Sequence, residues 1–480
     1  MRRVFAMCLA GLLASACVPF DIAPQTAAIP GSSLGLGEAP APAIARDWWK
    51  AFGDPQLDRL ADAALAGNPS LDDALARMRA AEAEIDSARS QLYPQITYQA
   101  EDQLQRFSRN YIIPPPFAGA THWMGTEEAS LSWNIDFWGK QAAQLRKAKA
   151  LARAAEYDAA GAQLAIAGSL AQAYVGLDRA YKLGDVAADN EKERQALVSL
   201  TDRRVKSGLD SLVEQKEVDA LLAQARQYRE QAGAAREIAV HEIAALIGHG
   251  ADVYGSIERP HLKLDTALAL PSALPADLLG RRSDVLAARA RIEAMVAGRK
   301  AAAAAFYPDV NLAGFAGTAA IGLSPLFALS SRAYGAGPAI SLPIFDAGKL
   351  RSDYAVSTAD LDQAVADYNG ALTGAVQQTA DALTQIRSLD RQAAEQHSLL
   401  ADTNQGYRMA QTRFRTGLAN QLTVFNAETA FLQAREQQVA LDADAVTQRV
   451  TLLLALGGGF DPKNPAPMHA QSNISQDTTP

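Results

Sequence analysis

The side chains that perform most protein chemistry are scattered along this chain of 480 residues. Its six histidines lack metal-ligand spacing, its seven methionines are dispersed, and no G-x-S-x-G motif marks a nucleophile. Gly348-Lys349-Leu350 lacks the upstream glycine and the hydroxyl residue of a phosphate-binding loop. The sequence therefore predicts that the protein is not an enzyme, and that it carries no metal and no soluble cofactor.

One residue, Cys17, lies where covalent chemistry on a thiol is expected. Arg2 and Arg3 followed by the apolar run 4–16 are typical of a secretory signal, and the run is too short to span a bilayer of about 30 Å. The signal ends in Leu-Ala-Ser-Ala before Cys17, which resembles the lipobox of bacterial lipoproteins. That resemblance implies removal of residues 1–16 and a covalent lipid on Cys17. Ordinary Ala-x-Ala cleavage is the alternative, and it leaves Cys17 as a free thiol.

Composition and the segment after the signal favour export to the outer membrane. The 45 Lys and Arg residues against 53 Asp and Glu give a net charge of -8, without the basic patch that nucleic acid requires. Val18 follows Cys17, and in lipoproteins a residue other than Asp at this position favours transport to the outer membrane. Residues 17–45 are rich in Pro, Ala and Gly, and they are predicted to form a lipid-anchored tether.

The sequence contains a tandem duplication. Residues 204–209 (RVKSGL) align with residues 413–418 (RFRTGL) at an offset of 209 residues. The same offset aligns Gly139-Lys140 with Gly348-Lys349. The expected domains are a first repeat at 46–260, a second repeat at 261–458 and a flexible C-terminal tail at 459–480.

Each repeat has the same order of predicted elements. A helix ends at a Tyr-Pro pair, because proline removes a hydrogen-bond donor and biases the preceding residue toward extended conformation. Strands follow, most clearly at 129–137, where apolar and polar residues alternate with a period of two. Long helices come next and reverse direction at Gly208 and Gly417. The predicted ranges are strands within about 95–138 and 309–346, long helices within 139–248 and 348–456, and loops at 108–128 and near 323–332.

The predicted strands are suited to a membrane. Four strands of about ten residues match the length of tilted β-strands that cross a bilayer. Open strand edges are not stable in lipid and the smallest barrels have about eight strands, so several chains must share one barrel. Two, three or four chains all satisfy this count. The helical tracts 139–207 and 348–416, about 100 Å long at 1.5 Å per residue, then form a closed tube whose lumen predicts transport.

Several motifs, in their order and spacing, resemble the outer-membrane efflux factor family, the TolC-like channels, and within it the lipoprotein branch that serves RND-type multidrug exporters. The motifs are WWKAFGDPQL at 48–57, both Tyr-Pro helix ends, DFWGK at 136–140 with FDAGK at 345–349, the two Arg-x-x-x-Gly turns, and LALGGG at 454–459. The resemblance implies a mainly α-helical chain with a transmembrane β part. Four strands per chain would form a shared twelve-stranded barrel in a homotrimer, continued by a long periplasmic helical tube.

The resemblance also implies a function and partners. The expected function is the outer-membrane channel of a tripartite efflux system, which gives passive passage to drugs or other small molecules. The expected partners are a periplasmic adaptor (membrane fusion) protein, an inner-membrane RND-type transporter and outer-membrane lipid. Two alternatives stay open: a channel for type I-like protein secretion, and a lipid-anchored helical scaffold without a pore.

A periplasmic gate is implied on the helix that follows Gly417. The apolar constriction falls on Leu422, and the positions that hold Asp and Arg in the family fall on Asn426 and Thr429. Without those charges, the gate is expected to close by apolar contact and amide hydrogen bonds. The alternative is that Leu422 is one more packing residue. The corresponding residues of the first repeat are Val213, Glu217 and Ala220.

The two hairpin tips are the predicted contact with the adaptor. Each tip has a glycine flanked by basic residues, which also fits a helix C-cap whose cations interact favourably with the helix dipole. The two interpretations are compatible. The tip residues are Arg204, Lys206, Gly208, Arg413, Arg415 and Gly417.

Overall fold

The structure is a computed structural model that describes residues 22–36, 44–110, 112–262 and 280–461. Cys17, the signal peptide at 1–16 and most of the predicted tail at 459–480 lie outside the described residues. None of the helices in the described ranges contains an apolar stretch long enough to cross a membrane.

The described part of the chain consists mainly of helices, with four strands. The helices, numbered in chain order, are α1 (Pro55–Gly67), α2 (Pro69–Ser90), α3 (Lys140–Lys206), α4 (Leu212–Leu246), α5 (Ser283–Ala304), α6 (Lys349–Arg415) and α7 (Gln421–Ala455). The strands are β1 (Gln95–Arg106), β2 (Thr121–Asn134), β3 (Asp309–Ile321) and β4 (Arg332–Ser341).

The long helices confirm the tandem duplication. α3 and α6 each contain 67 residues, and α4 and α7 each contain 35. At the offset of 209 residues, Lys140 corresponds to Lys349 and Leu212 to Gln421. The predicted tracts 139–207 and 348–416 differ from α3 and α6 by one residue at each end.

The four strands form one antiparallel sheet in the order β1-β2-β3-β4. β1 and β4 are therefore its edges, and each pairs on one side only within the chain. The two hairpins of the sheet, β1-β2 and β3-β4, belong to different repeats, and β2 pairs with β3 to join them.

β2 begins earlier than the sequence predicts. The expected loop at 108–128 is wrong from Thr121 onward, because Thr121 pairs with Arg106 and Glu128 pairs with Gln99 of β1. The alternation expected as far as residue 137 ends at Asn134. The second loop is confirmed, since β3 ends at Ile321 and β4 starts at Arg332.

The described residues divide into two compact units. The first contains residues 77–156 and 287–369 with the described segment 22–28, and so includes the whole sheet. In this unit the indole N–H of Trp138 donates to the carbonyl oxygen of Pro308 at 2.8 Å, and the Trp138 ring stacks on Tyr307 at 4.7 Å between centroids. The DFWGK motif of one repeat therefore contacts the Tyr-Pro helix end of the other.

The second unit contains the described parts of residues 29–76, 157–286 and 370–480. Trp48, Trp49 and Phe52 of the WWKAFGDPQL motif are buried in its core together with Leu170 and Tyr174. Asp54 of the same motif caps α1 by accepting the N–H of Gln56 at 2.9 Å, and it accepts the hydroxyl of Tyr174 at 2.7 Å. The motif thus has a structural role.

Candidate functional site

The first hairpin tip joins α3 to α4 in the second unit. Gly208 has φ +69°, and the N–H of Leu209 donates to the carbonyl oxygen of Arg204 at 2.9 Å, which ends α3 in a Schellman motif. The backbone N–H of Ser211 donates to the Glu214 carboxylate at 2.9 Å in a capping box at the start of α4. The hydrogen bond from the Ser211 hydroxyl lowers the pKa of Glu214. Glu214 is therefore engaged in a helix cap.

The second hairpin tip joins α6 to α7 by the same device. Gly417 has φ +76°, and the N–H of Leu418 donates to the carbonyl oxygen of Arg413 at 2.8 Å. The amide oxygen of Asn420 accepts the N–H of Thr423 at 3.1 Å and caps α7. Both predicted glycine turns are confirmed. Any other residue at either position would have to adopt a left-handed backbone conformation.

The arginines of the two tips have different surroundings. The Arg204 guanidinium binds Asp210 in a bidentate ion pair, with Nε–Oδ2 at 2.6 Å and Nη2–Oδ1 at 2.9 Å, and it lies 5.3 Å from the centroid of the Phe414 ring. This hydrogen bond lowers the pKa of Asp210. The residue corresponding to Asp210 in the second repeat is Ala419. Arg413 is exposed, and its side chain has no ion pair within the described part of the chain.

The remaining basic residue of the first tip also has an ion-pair partner, whereas that of the second tip does not have one in the described part of the chain. Lys206 is paired with Asp202 at 2.7 Å on the surface of α3. Arg415 is exposed and, among residues that the structure describes, has no charged partner. Leu418 beside it is 71% exposed. The second tip therefore presents two uncompensated positive charges and a leucine to its surroundings.

The three predicted gate residues lie on one face of α7. Leu422, Asn426 and Thr429 are four and three residues apart and are all exposed, Leu422 to 56%. Val424 and Phe425, between them in sequence, are buried. The corresponding residues of α4 are also exposed on one face: Val213, Glu217 and Ala220. The three predicted gate residues of α7 are therefore neighbours on one helix surface, and so are the three corresponding residues of α4.

A buried polar cluster lies on the other side of α7, and sequence analysis missed it. The Arg194 Nη1 atom of α3 lies 2.8 Å from the Glu428 Oε2 atom of α7, and the side chains are 5% and 4% exposed. The Arg194 guanidinium also lies 5.6 Å from the centroid of the Phe425 ring. The hydroxyl of Tyr407 on α6 donates to the Glu193 carboxylate at 3.3 Å. Three helices therefore contribute to one set of ionisable groups, of which Arg194, Tyr407 and Glu428 are buried and Glu193 is partly buried.

The protonation of Glu428 is sensitive to this burial. Loss of hydration raises the pKa of Glu428 to about 7; the Arg194 charge acts in the opposite direction, and Glu193 adds to the increase. Burial also raises the pKa of Tyr407, so its phenol stays protonated near neutral pH. The cluster can therefore gain or lose a proton close to physiological pH.

Comparison with known proteins identifies the family. The family model for outer membrane efflux proteins matches residues 60–249 and 274–458, which cover both repeats. The chain belongs to the outer membrane efflux protein family. Membership confirms the resemblance found in the sequence and assigns the chain to efflux at the outer membrane.

Two bacterial resistance proteins are similar to this chain. The multidrug resistance outer membrane protein MdtQ of Escherichia coli O6:H1 is 31% identical over 430 residues, which cover 86% of this chain and 88% of MdtQ. The fusaric acid resistance protein FusA of Burkholderia cepacia is 36% identical over 350 residues, which cover 71% of this chain and 66% of FusA.

A solved structure of an outer membrane protein has the same fold. The outer membrane protein VceC of Vibrio cholerae superimposes with a TM-score of 0.81 at 32% identity, over 87% of this chain and 100% of the VceC chain. The predicted fold class, a TolC-like chain of long helices with a strand portion, is therefore confirmed.

Proposed function

We propose that this chain forms, as a homotrimer, the outer-membrane channel of a tripartite efflux system that gives drugs or other small molecules passive passage to the outside. The observation that supports a barrel shared between copies most directly is the open sheet, in which β1 and β4 are edges that pair on one side only within the chain. Unpaired backbone groups in lipid cost several kcal/mol each, so β4 of one copy would pair with β1 of the next. Three copies would close a barrel of twelve strands.

The gate of the proposed channel is the exposed face of α7. Three copies would bring three Leu422 side chains together around one axis, where their burial favours the closed state. Asn426 and Thr429 carry no charge, so this part of the constriction would close without ion pairs. Glu217 on α4 is exposed on the corresponding face and would supply negative charge at the entrance.

The second hairpin tip is the proposed principal contact with the periplasmic adaptor. Arg413 and Arg415 are exposed with no partner in the described part of the chain, whereas Arg204 already binds Asp210. An adaptor surface with carboxylates or backbone carbonyl groups would bind these guanidinium groups, and an apolar recess would accept Leu418. An inner-membrane RND-type transporter would deliver the cargo. A lipid on Cys17 would add an anchor in the outer membrane.

Complementation tests the proposed function. The chain, a compatible adaptor and a compatible RND-type pump are expressed in a bacterium that lacks its own outer-membrane efflux channels, and accumulation of a fluorescent dye is measured. The wild-type chain should lower dye accumulation, and the variant Arg413→Glu/Arg415→Glu should lose most of this effect. The matched control, Arg387→Glu/Arg391→Glu, changes two exposed arginines of α6 away from the tip and should remain active. The proposal would be contradicted if an established efflux channel lowered dye accumulation in these cells and the wild-type chain did not.

A further inference from the structure

A cavity of about 480 Å³ lies among α3, α4 and α7 in the second unit. Its volume falls within the range of about 300–1,000 Å³ that is typical of small-molecule sites. The residues of α3 at the cavity are largely apolar, and they include Leu183. Tyr228 and Gln231 of α4 and Gln433 and Glu436 of α7 supply the aromatic and polar groups. The cavity therefore combines apolar surface with a small number of polar side chains.

The cavity lies on the helical faces that carry the gate residues. From Leu422, Asn426 and Thr429, the spacing of four and three residues continues to Gln433 and Glu436 on α7. Glu436 is seven residues beyond Thr429, or about 10 Å along the helix. On α4 the same progression continues from Ala220 through positions 224 and 227 to Gln231, which also lines the cavity. Gln433 and Glu436 therefore lie on the same side of α7 as the proposed gate residues.

Glu436 is the chemically distinctive residue of the cavity. It is half-buried, and no hydrogen bond or ion pair to its carboxylate occurs within the described ranges of the chain. Burial raises its pKa. Arg179 also lines the cavity, but its Nη1 atom is 3.6 Å from Oδ1 of Asp444, so that cation is already balanced. The cavity thus contains a carboxylate without a counter-ion.

We propose that this cavity binds amphiphilic organic monocations, with the positive charge near Glu436 and the apolar body against Leu183 and the neighbouring alanines. The proposal rests on the proposed function, since it names the cargo class that the channel would retain beside its gate. A cation supplies the charge that Glu436 lacks, and Tyr228 offers an aromatic face to it. An anion would meet the Glu436 carboxylate, and among the described residues that line the cavity the one cation, Arg179, already pairs with Asp444. A neutral ligand would leave the carboxylate unpaired.

Calorimetric titration of the full-length protein in detergent tests this proposal. The probes are tetraphenylphosphonium and tetraphenylborate, which have nearly the same size and opposite charge. Wild-type protein should bind tetraphenylphosphonium, and Glu436→Gln should weaken that binding about ten-fold or more, as expected for the loss of a charged contact. The matched control Glu395→Gln makes the same chemical change at an exposed position of α6 and should bind like wild type. Tetraphenylborate should bind no more tightly to wild type than to Glu436→Gln.

A second variant tests the opposite wall of the cavity. Tyr228→Leu keeps an apolar side chain but removes the aromatic ring, and it should weaken tetraphenylphosphonium binding several-fold, whether or not Glu436→Gln folds. Equal affinity for the cation in wild type and Tyr228→Leu, or in wild type and folded Glu436→Gln, would overturn the proposal. Absence of cation binding by a wild-type chain that still supports dye efflux would also overturn it, while leaving the proposed channel function intact.

Discussion

Arg194 and Glu428, 234 positions apart in the sequence, form an ion pair in which Nη1 and Oε2 are 2.8 Å apart and both side chains are buried. The pair joins α3 of the first repeat to α7 of the second. Glu428 is adjacent in sequence to Thr429 of the gate face, so any movement of that part of α7 away from α3 must separate the buried charges. This contact links the proposed gate face of α7 directly to α3.

Removal of one partner of this pair should strongly destabilise the region. Arg194→Met removes the cation that favours the ionised form of Glu428, so the buried residue must stay protonated and the energy of the ion pair is lost. We expect faster amide hydrogen exchange in α7 around Glu428, measured by mass spectrometry. The double variant Arg194→Met/Glu428→Leu removes both charges and should restore most of the protection. Protection in the single variant equal to that of wild type would show that the pair does not stabilise the contact.

Acidity should also change the stability of this contact. An isolated Glu has a pKa near 4.5, and burial raises that of Glu428 to about 7, so the folded state binds the proton more tightly than the unfolded state. Stability from this group is therefore present at low pH and is lost as the pH rises from about 4.5 to 7. The ionisable groups that face it are Glu193, Arg194 and Tyr407.

The variant Glu428→Gln isolates this pH effect. After correction for intrinsic exchange rates, wild-type α7 should be better protected at pH 5 than at pH 8, and the difference should shrink in Glu428→Gln. Glu395→Gln on the surface of α6 serves as the control. Identical pH dependence in wild type and Glu428→Gln would contradict the assignment to Glu428.

A charge at the proposed constriction should open it. Leu422→Asp would bring carboxylates together in an apolar ring, and a cost of about 3 kcal/mol to the closed state shifts the open-to-closed ratio by about 100-fold. Single-channel recording in planar bilayers should show longer openings. Leu418→Asp, at the exposed second tip, is the control and should conduct like wild type. Unchanged conductance in Leu422→Asp would remove that residue from the gate.

The segment around Gln25 and Thr26 is bound to α6 by the Asp362 carboxylate and by Asn369, whose side-chain amide donates to the carbonyl oxygen of Ala27 at 2.9 Å. The N–H groups of Gln25 and Thr26 both donate to Asp362 Oδ1, each at 2.8 Å. Asp362→Ala removes two charge-assisted hydrogen bonds of about 1.5–3 kcal/mol each, so exchange of these two amides should increase at least ten-fold. Asp360→Ala, an exposed carboxylate on the same helix, is the control. Equal exchange in both variants would show that Asp362 does not retain the segment.

The lipobox interpretation predicts covalent lipid on Cys17. Cys17→Ala should abolish incorporation of labelled palmitate in cells, whereas Cys8→Ala should retain it because Cys8 leaves with the signal peptide. Labelling of the Cys17→Ala protein would refute lipidation at that residue. The trimer is still expected in the absence of the lipid, because the barrel would anchor the chain independently.

Local sequence patterns were sufficient to predict the long helices and the exposed residues of the candidate site. The repeated RVKSGL and RFRTGL segments located both tips, and the family resemblance implied the residues of the proposed gate face. The start of β2 could not be predicted, because segment 121–128 has no alternating apolar face and becomes a strand through its pairing with β1. The partner of Glu428 could not be predicted either, since it depends on how the two repeats pack.

We propose above all that several copies of the chain share one barrel, and that the number of copies is three. Light scattering of the detergent-extracted protein, combined with negative-stain imaging, measures the mass and shape of the assembly directly. We predict a protein mass of three chains and an elongated particle with a threefold axis. A monomer, or a dimer without a barrel, would contradict the channel and favour a lipid-anchored helical scaffold.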